Sequence, residues 1–186
     1  MRIIGGLLKG KSINFLKNST TRPLKDFVKE NIFNILSHSN LIKIKVENSN
    51  ILDLYSGIGS FGIECISRGA KKVTFVEKDV KAISILNKNL IKLSIKNNSK
   101  IYNNKIESVL KNNIDEKFDI FFLDPPFVED NFLQNIKLIK EKKIFKKDHI
   151  VIIHREKNSK DKFEEILNIF NTKKYGRSKL IFGTIS

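Results

Sequence analysis

From Asn50 onward the chain alternates short apolar runs with stretches of helical periodicity, and no other feature narrows its possible folds so far. Residues 51–54, 73–76, 100–103, 118–124 and 150–153 are rich in β-branched and aromatic side chains and short enough to be strands. Helices are expected to begin between them, near Ser60, Asp79, Lys105 and Asn131. A strand that returns to its sheet through a helix lies parallel to its predecessor, so the expected class is α/β: a mostly parallel twisted sheet with helices on both faces. A helix over residues 161–170 and two closing strands, near Lys173 and over 180–185, should end the sheet at an antiparallel edge.

The first 40 residues follow another pattern. Ile3, Ile4, Ile13 and Phe15 flank Gly5, Gly6 and Gly10, which predicts a β-hairpin over residues 2–15 with Arg2, Lys9 and Lys11 pointing outward. After the turn Thr20-Thr21-Arg22-Pro23, the spacing of Leu24, Phe27, Val28, Ile32, Phe33 and Leu36 predicts an amphipathic helix. The 186 residues are enough for one well-buried domain, read as an N-terminal extension over 1–40 and an α/β core over 48–186.

The formal charge of +15 and a pI near 9.8 point to a polyanionic partner. Part of the lysine content reflects a bias toward Lys, Asn, Ile and Phe, with alanine confined to Ala70 and Ala82, as A/T-rich coding DNA would produce. Bias does not explain why residues 1–31 hold seven Lys or Arg against Asp26 and Glu30, or why residues 171–186 hold four against none. Basic ends of this kind read as a nucleic-acid surface, with Arg2, Lys9, Lys11 and Arg22 as its candidates. Cys65, the single cysteine, allows no intrachain disulfide or CxxC metal site. No apolar segment resembles a signal peptide or reaches the roughly 18 residues of a membrane span. A cytoplasmic, monomeric protein without a membrane or metal requirement is expected.

The chemistry concentrates at two strand ends. Asp53-Leu54-Tyr55-Ser56-Gly57-Ile58-Gly59-Ser60-Phe61-Gly62 leaves a predicted strand and enters a helix, and Glu77 follows Gly57 by the spacing of a dinucleotide fingerprint. Glycines let the backbone approach a ligand, and an acid ending the next strand accepts hydrogen bonds from ribose hydroxyls. Spacing alone leaves NAD open. A dinucleotide loop usually runs from an apolar strand straight into glycine, however, whereas here Asp53 and Ser56 stand first and offer a carboxylate to an ammonium group. That favours S-adenosylmethionine, with Asp53, Tyr55, Ser56, Gly57, Gly59, Gly62, Glu77 and Lys78 as candidate contacts.

The second strand end is Asp124-Pro125-Pro126-Phe127, after the apolar run Phe118 to Leu123. An exocyclic amine on a base is a poor nucleophile because its lone pair is delocalised into the ring. Two acceptors on its hydrogens favour a pyramidal nitrogen, and the Asp124 carboxylate with the Pro125 carbonyl can serve as those acceptors. Consecutive prolines hold that carbonyl rigidly. Phe127 offers a face for stacking the base, which must first be extruded if it lies in a helix. Asp124, Pro125, Pro126 and Phe127 are therefore the catalytic candidates. In a doubly wound sheet, Asp53, Glu77 and Asp124 should meet in one crevice at the carboxyl ends of the strands.

These residues carry a family resemblance. The chain resembles the bacterial 16S rRNA guanine-N2 methyltransferases of the RsmD type through Met1 to Gly6, Arg22-Pro23 with Asp26, Glu30 and Phe33-Asn34, Asp53 to Gly62 continuing to Ala70, Glu77, Asp124 to Phe127 and Tyr175 to Ser178. The resemblance implies a Rossmann-like class I methyltransferase that modifies one guanine of 16S rRNA within a 30S subunit or assembly intermediate. It implies that Asp53, Gly57 and Gly59 line the cofactor, that Glu77 binds its ribose, that Asp124 and Pro125 orient the amine, and that the basic N-terminal hairpin grips rRNA. The family's small acidic or amide residue followed by alanine, near the adenine, is replaced here by Lys105-Ile106, with Asn104 as substitute.

Two other readings stay open: an adenine-N6 methyltransferase, whose amine needs the same tetrapeptide, and a basic rRNA-binding assembly factor without catalysis. His38, His149 and His154 are too scattered for a metal site and read as ordinary polar residues. Arg155 and Glu156 read as a solvated pair, and the lysines from Lys137 to Lys147 as either a solvated face or an RNA contact.

Overall fold

The computed structural model describes residues 1–15, 24–127 and 131–186. After the N-terminal segment comes α1 (Asp26–His38), then β1 (Asn50–Leu54), α2 (Ser60–Ser67), β2 (Lys72–Glu77), α3 (Val80–Lys92), β3 (Ser99–Asn103), α4 (Ile106–Asn112), β4 (Phe118–Leu123), α5 (Phe132–Lys142), β5 (Phe145–Glu156), β6 (Leu167–Tyr175) and β7 (Ser178–Ile185). They build a seven-stranded sheet in the order β3-β2-β1-β4-β5-β7-β6. The first five strands are parallel, and β7 and β6 close the sheet antiparallel. β1, β2 and β4 read as nearly continuous apolar runs because helices cover both their faces.

Side chains alternate across the sheet and divide the core in two. On one face Ile51, Phe75, Phe122, Ile152 and Phe182 pack with Ile32, Phe33, Phe61 and Leu86 from α1, α2 and α3. Phe61 lies between Phe33 and Phe122, with ring centroids 5.6 Å and 4.0 Å away. On the other face Leu52, Val76, Phe121, Val151 and Ile181 pack with Val109, Leu110, Phe132 and Ile136 from α4 and α5.

One expected element is corrected. Residues 161–170 are not a helix: a turn bonded from Ile166 N–H to the Phe163 carbonyl leads into β6 at Leu167. Phe163, Ile166, Leu167 and Phe170 mimic helical spacing, but pairing of β6 with β7 from Leu167↔Ile185 to Tyr175↔Ser178 overrides it. The N-terminal hairpin is present, with the antiparallel bridge Arg2↔Ser12 and bonds from Ile3 N–H to the Lys11 carbonyl at 3.0 Å, from Gly10 N–H to the Ile3 carbonyl at 2.8 Å and from Ile13 N–H to the Met1 carbonyl at 3.0 Å. Other amides of the hairpin dock it on α2 and α3. Ile4 N–H donates to Glu64 Oε2 at 2.9 Å, Leu8 N–H to Ser67 Oγ at 2.9 Å, and Asn14 N–H to Asn89 Oδ1 at 2.7 Å. Ile3 and Ile13 are buried in the same core as α1 and α2, so residues 1–15 are a strap across two helices. No described helix is long and apolar enough to cross a membrane.

Candidate active site

The strand order reverses direction between β1 and β4, which opens a crevice at their carboxyl ends. Asp53 and the glycine loop leave β1 there, and Asp124 leaves β4 with its N–H 3.4 Å from the Leu54 carbonyl. Glu77 ends the neighbouring β2. Sequence reasoning brought Asp53, Glu77 and Asp124 together, and the structure does too.

The side of the crevice formed by β1 and β2 is held by backbone. Glu77 Oε2 accepts from Gly57 N–H at 2.9 Å, while Oε1 accepts from Lys78 and Asp79 N–H at 2.8 Å and 2.9 Å. One carboxylate thus ties the glycine loop to the end of β2. Gly57 has φ +54°, and a Cβ there would meet no atom within 4 Å, so the loop turns left-handed over open space. Gly62 differs. A Cβ on it would come within 2.3 Å of Phe75, so this glycine serves close packing of α2 on β2. Tyr55, at φ +59°, accepts through its hydroxyl from Asn135 Nδ2 at 2.8 Å, which joins the loop to α5. Ser56 is buried, and its Oγ has no hydrogen-bond partner among the described residues. Asn104 Oδ1 accepts from Lys105 N–H at 2.8 Å, whereas its neighbour Asn103 donates to the carbonyls of Glu77 and Lys78 at 3.1 Å and 3.2 Å. Asn103 went unnoticed in the sequence because its partners lie on another strand.

Asp53 is buried, with Oδ2 accepting from Gly62 N–H at 3.0 Å. Burial pushes its carboxyl well above the usual range, the Gly62 bond opposes this, and the nearby Asp124 and Glu77 push it further up. Three acids converge at the crevice, and the negative charges of Asp124 and Glu77 bear on Asp53. A ligand carrying positive charge would relieve that excess.

The side of the crevice at the end of β4 is held by side chains of β5 and the segment after it. His154, next to Asp124 across the sheet, approaches Asp124 Oδ1 with Nδ1 at 2.8 Å. With Asp124 ionised, Nδ1 carries the proton and donates, and Nε2 is a buried lone pair without a partner among the described residues. Arg155, 1% exposed, donates from one terminal nitrogen to the Pro126 carbonyl at 3.1 Å and from the other to Asp161 Oδ1 at 2.9 Å. Its guanidinium also lies over the Phe132 ring, 4.4 Å from the centroid. Burial raises Asp161, but bonds from Arg155 and Ser159 outweigh it and leave the carboxyl below its ordinary value. Phe127 is 43% exposed, with its ring edge-on to His154 at 6.0 Å. The solvated pair expected at Arg155 and Glu156 is therefore corrected: Arg155 is an internal brace for the proline loop, and only Glu156 is exposed.

The model of the family described as conserved hypothetical protein 95 matches residues 1–184. The chain belongs to that family. It is 35% identical over 181 residues to the ribosomal RNA small subunit methyltransferase D of Buchnera aphidicola subsp. Baizongia pistaciae, covering 97% of this chain and 88% of the relative. It is 35% identical over 160 residues to the protein of the same name from Haemophilus influenzae, covering 85% and 80%. The solved structure of Haemophilus influenzae protein HI0767 superposes with a TM-score of 0.79 at 30% identity, covering 100% of this chain and 98% of that one. The expected resemblance to RsmD-type enzymes thus holds, and the fold is that of a Rossmann-like class I methyltransferase, for which S-adenosylmethionine is the expected cofactor.

The residues fit that cofactor. The unpartnered Ser56 hydroxyl, the open space over Gly57 and the convergence of three acids suit a ligand bearing hydroxyls, an ammonium and a sulfonium. Other candidates from the family's pattern lie apart. Arg2 is exposed, with Nε 3.5 Å from Asp26 on α1. Lys9 and Lys11 are exposed on the strap, whose tip bonds from Leu7 N–H to the Ser67 carbonyl at the far end of α2. That end is roughly 12 Å from the glycine loop by helical rise. Arg22 lies outside the described residues.

Proposed function

We propose that this chain transfers a methyl group from S-adenosylmethionine to the exocyclic N2 amine of one guanine in 16S rRNA, within a 30S subunit or assembly intermediate. The relatives' names support methylation of small-subunit rRNA. The observation that carries the choice of an amine is Asp124, held through Oδ1 by His154 and followed by a proline loop braced at Pro126 by Arg155.

Bound S-adenosylmethionine supplies an activated methyl on a sulfonium. The chain's own residues prepare the nucleophile. His154 occupies one oxygen of Asp124, so the other is left to accept from the amine, with the Pro125 carbonyl as second acceptor. The two acceptors draw the nitrogen lone pair out of conjugation and toward the methyl. Phe127 stacks the base and sets its plane. After transfer the nitrogen carries an extra proton, and Asp124 is placed to receive it. Asp53 and Ser56 hold the methionyl end, Glu77 the ribose, and Lys78 with Asn104 the approach to the adenine. Proximity and alignment supply much of the acceleration. Residues 1–40, as an extension carrying Arg2, Lys9, Lys11 and Arg22, add an outer RNA contact to a core over 48–186, and the enzyme acts as a monomer in the cytoplasm.

The test is methyl transfer from labelled cofactor to undermethylated small subunits, naked 16S rRNA and DNA in parallel, followed by nucleoside chromatography. N2-methylguanosine confined to the RNA samples is expected. N6-methyladenine would replace the reading with an adenine enzyme, and RNA binding without transfer to any substrate would leave an assembly factor.

A further inference from the structure

The molecule carries several basic regions, and the topology separates them. Lys142 ends α5 with Nζ on the Lys111 carbonyl at 2.8 Å. Lys146, early in β5, pairs with Asp119 at 2.7 Å, and both lie toward the amino ends of the strands, opposite Asp124. A different group stands at the catalytic edge. Because β7 runs antiparallel to β5, Ser178 faces Glu156, two residues beyond His154, and the turn between β6 and β7 rises beside the crevice. Lys157 N–H donates to the Arg177 carbonyl at 2.9 Å, which fastens the segment after β5 to that turn. Lys179 Nζ donates to the Ser159 carbonyl at 2.6 Å and fastens it again.

Residues 156–162 and 173–179 together hold seven Lys or Arg against Glu156 and Asp161. Asp161 is spent on Arg155, so it does not neutralise the surface. Lys157, Lys160, Lys173, Lys174 and Arg177 are exposed. Aromatic groups interleave with them. Tyr175 meets Phe27 of α1 edge-on at 5.5 Å, and Phe27 is 59% exposed. Lys173, two residues before Tyr175, shares its face of β6. Cations beside exposed rings suit phosphates and unstacked bases together.

We propose that the β6–β7 turn, the 157–162 segment and Phe27 form the rRNA-docking surface that presents the target base to Asp124, a role that rests on the substrate being rRNA. Phosphates bind Lys157, Lys173 and Arg177, and a flanking base stacks on Phe27. The strap cations are then peripheral, and those at the opposite edge uninvolved.

The test combines filter binding of naked 16S rRNA over a salt series with methyl transfer. Lys157→Ala/Lys173→Ala/Arg177→Ala should weaken RNA binding by about tenfold or more and flatten the slope of log affinity on log salt by about two units. Its KM for RNA should rise while cofactor affinity stays unchanged. Phe27→Ala should weaken binding without changing the slope. Lys137→Ala/Lys142→Ala/Lys147→Ala is the control and should bind as wild type. Thermal melting of each variant separates lost docking from lost fold, and Lys157→Glu/Arg177→Glu gives a second, stronger version. Wild-type slope and affinity in the first triple, or an equal loss in the control, would overturn the surface. Wild-type protein that binds rRNA through these residues but forms no N2-methylguanosine would instead overturn the assigned reaction and leave the docking surface standing.

Discussion

The two sides of the crevice are held by different means. On the cofactor side, Asp53 and Glu77 are fastened to backbone amides within a few residues of their own strand ends or on the adjacent loop. On the substrate side, Asp124 and Pro126 are fastened by side chains from β5, and Arg155 is itself held by Asp161. A backbone cradle is fixed by conformation and tolerates changes in neighbouring side chains. A side-chain brace is set by particular residues and fails when one is lost. The contrast suits the proposed division of labour: the cofactor is an invariant shape, whereas a presented base needs a carboxylate and carbonyls held at fixed positions.

The largest effect that would break this comparison is at Asp124. Asp124→Asn should lower single-turnover methyl transfer on the order of 10²- to 10³-fold while cofactor affinity, measured by calorimetry, stays within a few fold. An equal loss of cofactor binding would mean that the two sides are one unit. Next comes the brace. Arg155→Met leaves Asp161 buried without its partner and should cost roughly 3–5 kcal/mol in urea unfolding. Asp161→Asn in the same chain should recover part of that loss, which a merely overpacked methionine would not show.

Asp53→Asn sharpens the comparison from the other side. It removes a buried carboxylate whose ionisation burial opposes, keeps an acceptor for Gly62, and should raise the melting temperature of the cofactor-free protein by roughly 2–4 °C. The same change should weaken S-adenosylmethionine binding, so a gain in stability with unchanged affinity would remove Asp53 from the cofactor site.

The smallest effect lies at the far edge. His149 accepts from Ile185 N–H through Nε2 at 2.9 Å and holds the Lys146 carbonyl through Nδ1 at 2.8 Å, so only the neutral ring fits. Burial chiefly holds its pKa below the ordinary 6.5. The unfolded chain then binds the extra proton first, and stability is present above pH 6.5 and declines as pH falls from there through the lower folded value. His149→Gln should flatten that decline in unfolding curves at pH 7 and pH 5. Cofactor affinity should follow neither change.

The contrast between the two sides also governs what the sequence revealed. The glycine loop and Glu77 were legible because their partners are local and their spacing repeats a known geometry. Asp124 to Phe127 was legible because two prolines after an apolar strand restrict the backbone visibly. His154 and Arg155 were not, since nothing in Ile153-His154-Arg155-Glu156 shows that β5 lies beside β4 and turns these side chains on the proline loop. The docking of the hairpin was missed for the same reason: a hairpin pattern over residues 2–15 carries no sign of Glu64, Ser67 and Asn89, which take up the amides of Ile4, Leu8 and Asn14. Residues 161–170 were misread because an accidental helical spacing outweighed a strand pairing visible only in three dimensions.

β6 is the outermost strand of the sheet, and among the described residues one side of its backbone has no neighbouring strand. Such an edge invites a strand from another molecule, and chains guard against this with charge and irregularity. Here Lys173 and Lys174 lie on the strand, and its register breaks between Ile169 and Asn171. Neutralising Lys173 therefore strips part of a defence against self-association, and light scattering of such variants should reveal growing aggregates before any change in fold. Selection against self-association and selection for an rRNA partner would then favour the same lysine, one by repulsion and the other by attraction.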